Sequence, residues 1–347
     1  MQTCVEIPHP TDSPRRRVTG KPRTHRLILR KVRAAIGKSP AENPVRKILV
    51  GISGGVDSCV LLHLLRDIRA EGGPELVAAH VHHGIRGKEA DRDAQIAERV
   101  ATAHAVEFHV TRIHPPQGAR APEHVLRDLR LAALERVAHR VGADRIALAH
   151  HRDDQAETLL LRLLAGTDLR GLASIRPYRP PFWIRPLLGV SRAEIEREAR
   201  LCRIPYGTDS TNLSTKPRRN FLRHKLIPLL QTEFNPRISQ HLSALAESIS
   251  KVNDWLELQA AGALRDARRG EGRYDVTALR RLPEAVRSVA LQLAYRAVAG
   301  EGAAMSRVKL QTIDFLVRTE GKERSYQLSR GVSVRRAKKW IRFGRNV

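Results

Sequence analysis

The stretch Lys47-Ile48-Leu49-Val50-Gly51-Ile52-Ser53-Gly54-Gly55-Val56-Asp57-Ser58-Cys59-Val60-Leu61-Leu62-His63-Leu64-Leu65 decides the fold. Its first six residues form an apolar run of strand length, and its last seven belong to an apolar helix. Between them lies a turn made of serines and glycines. A strand with no polar alternation is covered on both faces, as strands of parallel sheets are. Working outward, the pattern predicts further strands over 76–81, 107–110 and 145–150. Helices are predicted over about 90–103, 123–140 and 153–164. Strands alternating with helices of ten or more residues make βαβ units, so the fold class is α/β, a doubly wound parallel sheet.

Upstream, residues 1–25 carry Pro8, Pro10, Pro14, Pro22 and the run Arg15-Arg16-Arg17, and read as a disordered basic extension before a helix from about Leu27. Downstream the alternation stops. A long helical stretch over about 237–268, a shorter one over 284–299, and a tail with one helix and short strands near 325–328 and 340–343 form a second, smaller, mostly helical C-terminal domain. The boundary is expected near 231–237, dividing a catalytic domain over 26–232 from a docking domain over 233–347.

The 347 residues carry 62 Lys+Arg against 36 Asp+Glu, a net charge of +26. Residues 1–47 and 305–347 together hold +18 of it, which suggests a polyanion gripped from the flanks, nucleic acid first. Arginine supplies 50 of the 62 cations, and its planar fork suits phosphate. Cys4, Cys59 and Cys202 are isolated, with no CxxC pair. No run approaches the roughly 20 apolar residues of a membrane span, and no apolar signal core opens the chain, so no membrane partner and a cytoplasmic location are expected.

Ser53-Gly54-Gly55-Val56-Asp57-Ser58 is a phosphate cradle by position. It leaves a strand at the sheet's C-terminal edge and enters a helix N-terminus, where backbone N–H groups point at an anion. There is no Gly-Lys-Ser/Thr, which excludes the Walker loop for γ-phosphate transfer. A loop that holds a leaving pyrophosphate, with attack at the α-phosphate, remains. His80 and His82, two apart on one strand, share a face. Asp153, Asp154 and Glu157 cluster in the first turn after the strand over 145–150, where they suit either Mg2+ or an ammonium group.

These residues resemble the N-type ATP pyrophosphatases, the PP-loop superfamily, whose signature is SGGxDS after the first strand. His80-Val81-His82-His83-Gly84-Ile85-Arg86 and His150-His151-Arg152-Asp153-Asp154-Gln155-Ala156-Glu157 narrow the resemblance to the bacterial tRNA(Ile)-lysidine synthetases. So do Gly166-Thr167-Asp168-Leu169-Arg170-Gly171, Arg185-Pro186-Leu187-Leu188, Asp209-Ser210-Thr211-Asn212 and Arg219-Asn220-Phe221-Leu222-Arg223. The similarity runs in order from about 46 to 230.

The resemblance implies a nucleotide site of Ser53, Gly54, Gly55, Val56, Asp57, Ser58, His80 and His82 for ATP, with Mg2+ on Asp57 and Asp154. It implies catalytic roles for Asp57, Arg127, Asp154 and Glu157. Substrate contacts fall to Arg130, His151, Asp153, Arg170, Arg219, Asn220 and Arg223. Leu131 stands where the family has tyrosine, which leaves the register of Arg127 against Arg130 open. Arg219, Asn220 and Arg223 suit an RNA backbone or, equally, a surface salt-bridge face. The implied reaction adenylates the wobble cytidine of the isoleucine tRNA with a CAU anticodon and attaches free L-lysine; a homodimer is compatible with it. Thiolation by a related enzyme and a non-catalytic basic RNA-binding protein are the alternatives.

Overall fold

A computed structural model of the chain describes residues 23–37, 44–84, 88–114, 123–207, 218–300, 303–320 and 323–345. The Asp209–Asn212 motif, the Ile85-Arg86 pair and residues 1–22 of the expected extension lie outside the described residues. The chain divides into two compact units, Met1–Ala246 and Glu247–Val347.

In the first unit, helix α1 (Arg23–Gly37) precedes β1 (Lys47–Gly51), α2 (Val56–Ala70), β2 (Glu75–His82), α3 (Lys88–Ala103), β3 (Glu107–Arg112), α4 (Glu123–Val141), β4 (Arg145–Ala147) and α5 (Arg152–Leu164). The start of α1 corrects the expected extension: Arg23, Thr24 and His25 are helical, because the His25 ring is drawn between the buried carboxylates of Asp67 and Glu198. A short α6 (Leu169–Leu172), two two-residue strands β5 (Tyr178–Arg179) and β6 (Trp183–Ile184), and α7 (Arg192–Leu201) follow. Strands this brief leave no periodicity to read, and neither was expected.

The sheet order is β3-β2-β1-β4-β6-β5, parallel throughout except for β5 against β6. Ile48, Leu49 and Val50 are fully buried because helices cover both faces. α2 packs Val60, Leu61, Leu64 and Leu65 at 1% exposure or less, so its unbroken apolar run is explained by burial on nearly every side. Strand order reverses between β1 and β4: the chain moves from β1 outward to β2 and β3, then crosses to the other side of β1. Open α/β sheets hold their ligands at the carboxyl ends of strands flanking such a reversal.

The first unit continues through α8 (Arg218–Phe221), one π-helical turn (Leu222–Leu226) and α9 (Ile227–Glu233) into α10 (Ile238–Ala267). The division between units falls inside α10, not before it. Leu242 packs with Leu160, Leu222 and Ile227, whereas Leu256, Ala260 and Leu264 belong to the C-terminal core.

The second unit holds β7 (Arg268–Gly270), β8 (Arg273–Asp275), α11 (Val276–Arg280), α12 (Glu284–Ala299), α13 (Arg307–Arg318), β9 (Arg324–Gln327), β10 (Val332–Arg336) and β11 (Trp340–Arg345). Its strands form one antiparallel sheet, β7-β8-β11-β10-β9. Two of these strands were expected; β7, β8 and β10 are short and arginine-bearing, which masks the alternation. Leu279, Leu291, Tyr295, Ile313, Val334, Ile341 and Phe343 fill the core. Arg287 donates from Nε to Asp314 Oδ1 at 2.6 Å and from Nη1 to Leu282 O at 2.7 Å, within that interior.

Candidate active site

The turn after β1 is held by its own hydroxyls. Ser53 N donates to Ser58 Oγ at 3.1 Å, Ser58 Oγ donates to Gly55 O at 2.9 Å, and Gly55 N lies 3.4 Å from Ser53 Oγ. Gly54 adopts φ +87°, and a Cβ there would stand 2.7 Å from Asp93 O, so glycine is required twice over. Gly54 O accepts from Gly207 N at 2.9 Å, which ties the turn to the chain after α7. Beside Gly55 a Cβ would meet only Ser53 Oγ, at 3.5 Å. The approach to that backbone is open to a ligand.

Asp57 stands in the first turn of α2, with Oδ1 buried and without a hydrogen-bond partner. His151 Nε2 lies 3.8 Å from Oδ1, and Arg192 Nη1 lies 3.7 Å from Oδ2. Burial pushes the Asp57 carboxyl above the ordinary range, and the Asp154 charge adds to this; His151 and Arg192 oppose it without reversing it. A partnerless carboxylate oxygen beside a phosphate-shaped turn is a hard donor, and hard donors fit Mg2+.

The second half of the site hangs from β4. His151 caps α5 in a reciprocal pair: His151 N donates to Asp154 Oδ2 at 3.0 Å, and Asp154 N to His151 Nδ1 at 3.4 Å. Nδ1 is thereby the acceptor, and Nε2 faces Asp57 and Asp154. Glu157, only 1% exposed, accepts from Arg219 Nε at 2.8 Å and from Arg223 Nε at 2.6 Å. Asp154 Oδ1 accepts from Nη2 of both arginines, at 2.9 and 3.3 Å. Burial alone would raise the Asp154 carboxyl. His151, Arg219 and the His151 backbone N–H outweigh it, leaving the carboxyl below its usual range.

Ser53 to Ser58, Asp57, His151, Asp154, Glu157, Arg219 and Arg223 thus converge, with the two arginines ion-paired to the acids. His80 flanks the turn: Nδ1 donates to Ile52 O at 2.9 Å, Nε2 is buried without a partner, and burial lowers the ring's pKa. His82 is spent elsewhere, 3.0 Å from Asp91 Oδ1 and accepting from Gly84 N at 3.2 Å. Asp153 accepts from Arg192 N at 2.8 Å, helping to start α7. Arg170 sits half-buried on α6 and Asn220 half-buried on α8.

Arg127 is exposed on α4. Its charge depresses the pKa values of Arg130, Arg162, Arg185 and His150 behind burial, so these groups share one region. The Nε atoms of Arg130 and Arg185 and Nδ1 of His150 are buried without partners. Sequence reading did not assign Arg162, Arg185, Arg192 or His150 a role. His150 and Arg185 lay inside quoted motifs; Arg192 follows a helix cap, with no signal of its own.

A family model described as PP-loop domain matches residues 28–230. The chain is 36% identical over 215 residues to a tRNA(Ile)-lysidine synthase of Clostridium acetobutylicum, covering 61% of this chain and 47% of that protein. It is 37% identical over 214 residues to the enzyme of that name from Thermotoga maritima, covering 60% and 51%. The chain therefore spans about half the length of the curated relatives it matches. Among solved structures, the U34-tRNA thiolase NcsA from Methanococcus maripaludis superposes with a TM-score of 0.55 at 22% identity, covering 66% of this chain and 80% of that one. That likeness is one of fold.

Proposed function

The chain belongs to the PP-loop domain family, and from that premise we propose that it is a tRNA(Ile)-lysidine synthase, adenylating the wobble cytidine of the CAU-anticodon isoleucine tRNA and joining L-lysine to it. The observation that carries the reading is Asp57. Its partnerless Oδ1 stands between the phosphate turn of β1 and the acid cluster of β4, where a nucleotide and a cationic amine would meet.

The turn's open backbone around Gly55 would receive the departing pyrophosphate. Mg2+, held by Asp57 Oδ1 and by Asp154 once its arginines release Oδ1, would neutralise charge building on the leaving group. Asp154 is ionised at neutral pH, so with Glu157 it can attract and orient the lysine ammonium. The amine must lose a proton before it attacks C2, and these carboxylates are the nearest acceptors. His80 stays neutral and offers Nε2 as an acceptor beside the turn. Arg130, Arg185 and Arg162 would meet nucleotide or RNA phosphates.

The second unit suits a docking role. Across its sheet Arg273 pairs with Arg342 and Arg342 with Arg335, and Arg342 and Arg335 are exposed. Like charges opposite one another weaken a sheet, and a phosphate backbone relieves that repulsion. The thiolation alternative gains no cysteine pair among the described residues: Cys59 is buried in α2, and Cys202 donates to Glu198. No helix among the described residues is long and apolar enough to cross a membrane.

Incubation with ATP, Mg2+, labelled lysine and the tRNA transcript should release AMP and pyrophosphate and label the RNA. Formation of ADP and orthophosphate would overturn the assignment. Asp57→Ala should abolish pyrophosphate release while the tRNA is still retained.

A further inference from the structure

Away from the turn, α1, α2 and α7 enclose a polar cluster that the proposed reaction does not use. His25 of α1, His63 of α2, Glu198 of α7 and Cys202 at the end of α7 bring one donor atom each within 4.8 Å of one another. His25 is 1% exposed and Glu198 0%. The same three helices contribute Ile28, Val60, Leu64, Ile195 and Ala199 to one hydrophobic core. Four potential ligands in such a setting need an account.

Their mutual contacts are incomplete. His25 Nδ1 meets Glu198 Oε1, and the Cys202 thiol donates to the same oxygen at 3.1 Å. Glu198 Oε2 has no hydrogen-bond partner. Asp67 Oδ2 stands 3.1 Å from His25 Nε2 and 3.9 Å from His63 Nε2, beside both rings. A buried polar atom without a partner is costly, and a buried carboxylate oxygen more so. A cation at the centre of the cluster would remove that cost.

We infer that His25, His63, Glu198 and Cys202 form a structural zinc site that fastens α1 to α2 and α7. Two imidazoles, a thiolate and a carboxylate are zinc's mixed donor set, whereas Mg2+ and Ca2+ take oxygen ligands. Tetrahedral zinc sets its ligand atoms about 3.3–3.6 Å apart. No pair of these atoms stands more than 4.8 Å apart, so none closes by more than about 1.5 Å on that scale, a distance side-chain rotation can supply. Sulfur binds the metal as its S–H bond breaks, and the proton leaves to solvent with no change of oxidation state. Arg66, whose Nη2 is 3.3 Å from His63 Nδ1 and 3.2 Å from Asp67 Oδ1, keeps Asp67 and gives up the ring. Asp67 then orients the imidazoles from behind, as outer carboxylates do for metal-bound histidines.

The test uses the full chain, stripped by chelator and titrated with Co2+ as a spectroscopic substitute for Zn2+. The expected result is saturation at one equivalent, visible bands of tetrahedral cobalt and a near-ultraviolet sulfur-to-cobalt charge-transfer band. One equivalent of Zn2+ should bleach them and raise the unfolding midpoint. Cys202→Ser should abolish the charge-transfer band, and Asp67→Asn should weaken cobalt affinity roughly 10–100-fold. Absence of saturable uptake by the unsubstituted chain would overturn the site, a result that depends on no variant folding. So would a charge-transfer band that survives Cys202→Ser.

Discussion

Arg223 clasps Glu157 at two points, Nε to Oε1 at 2.6 Å and Nη2 to Oε2 at 3.0 Å, across 66 residues of sequence. The carboxylate it holds is almost wholly buried, and Arg219 adds a third bond. Any ammonium group that reaches Glu157 must share it with these guanidinium groups or displace them. Removing one partner of a buried pair costs about 3–5 kcal/mol. Because Arg219 remains, Arg223→Met should cost no more than about 3 kcal/mol. Glu157→Gln in the same background should recover part of the loss, and urea denaturation of the four chains of this cycle would measure the coupling.

Gly54 and Gly55 should separate stability from nucleotide binding. Gly54→Ala puts a Cβ at φ +87° and 2.7 Å from Asp93 O, a strain of about 1–3 kcal/mol that lowers the unfolding midpoint. Gly55 has φ −77° and open space beside it, so Gly55→Ala should fold normally. That methyl group would obstruct the anion's approach, and equilibrium binding of ATP should weaken while the thermal transition stays in place.

His150 makes stability depend on pH. Burial, reinforced by Arg185, drops its pKa to about 3, whereas an unfolded histidine titrates near 6.5. Between these values the unfolded chain binds the extra proton, so this group's contribution is complete above about pH 6.5 and shrinks as the pH falls toward 3. The slope is at most about 1.4 kcal/mol per pH unit, and less where water reaches the half-buried ring. His150→Asn should flatten the fall in stability measured between pH 7.5 and 5.5.

Arg287→Met should act on the second unit. It strands Asp314, which keeps only the exposed Arg318 at 2.9 Å, and it leaves Leu282 O without its donor. The expected loss is about 3 kcal/mol or more. Protease susceptibility or hydrogen exchange should rise within 247–347 before it rises in the N-terminal unit.

The legible parts of this molecule were those written in contiguous residues. The apolar runs of β1, β2 and α2 and the Ser53–Ser58 turn could be read directly because burial on both faces leaves no polar interruption. The partnership of Asp154 and Glu157 with Arg219 and Arg223 could not. Each pair stands in a separate segment, and only packing of α5 against the stretch beginning at α8 joins them. The sequence admitted an RNA contact or a salt-bridge face for those arginines, and the structure shows ion pairing directed inward, to buried acids. The cluster of His25, His63, Glu198 and Cys202 was invisible for the same reason. His25 fell in a segment read as unstructured, and no short spacing links the four. β5, β6 and β7 escaped because strands of two or three residues carry no period.

The adjacency of β1 and β4 has a temporal consequence. Ile48 lies opposite Arg145, and the acids that follow β4 find their arginines only at 219 and 223. A growing polypeptide must therefore emerge past Arg223 before this cluster of acids and arginines can close. Until then Asp154 and Glu157 stand beside the glycine turn without Arg219 and Arg223, the guanidinium groups that pair with them. Contacts between such distant positions also slow the search for the native state.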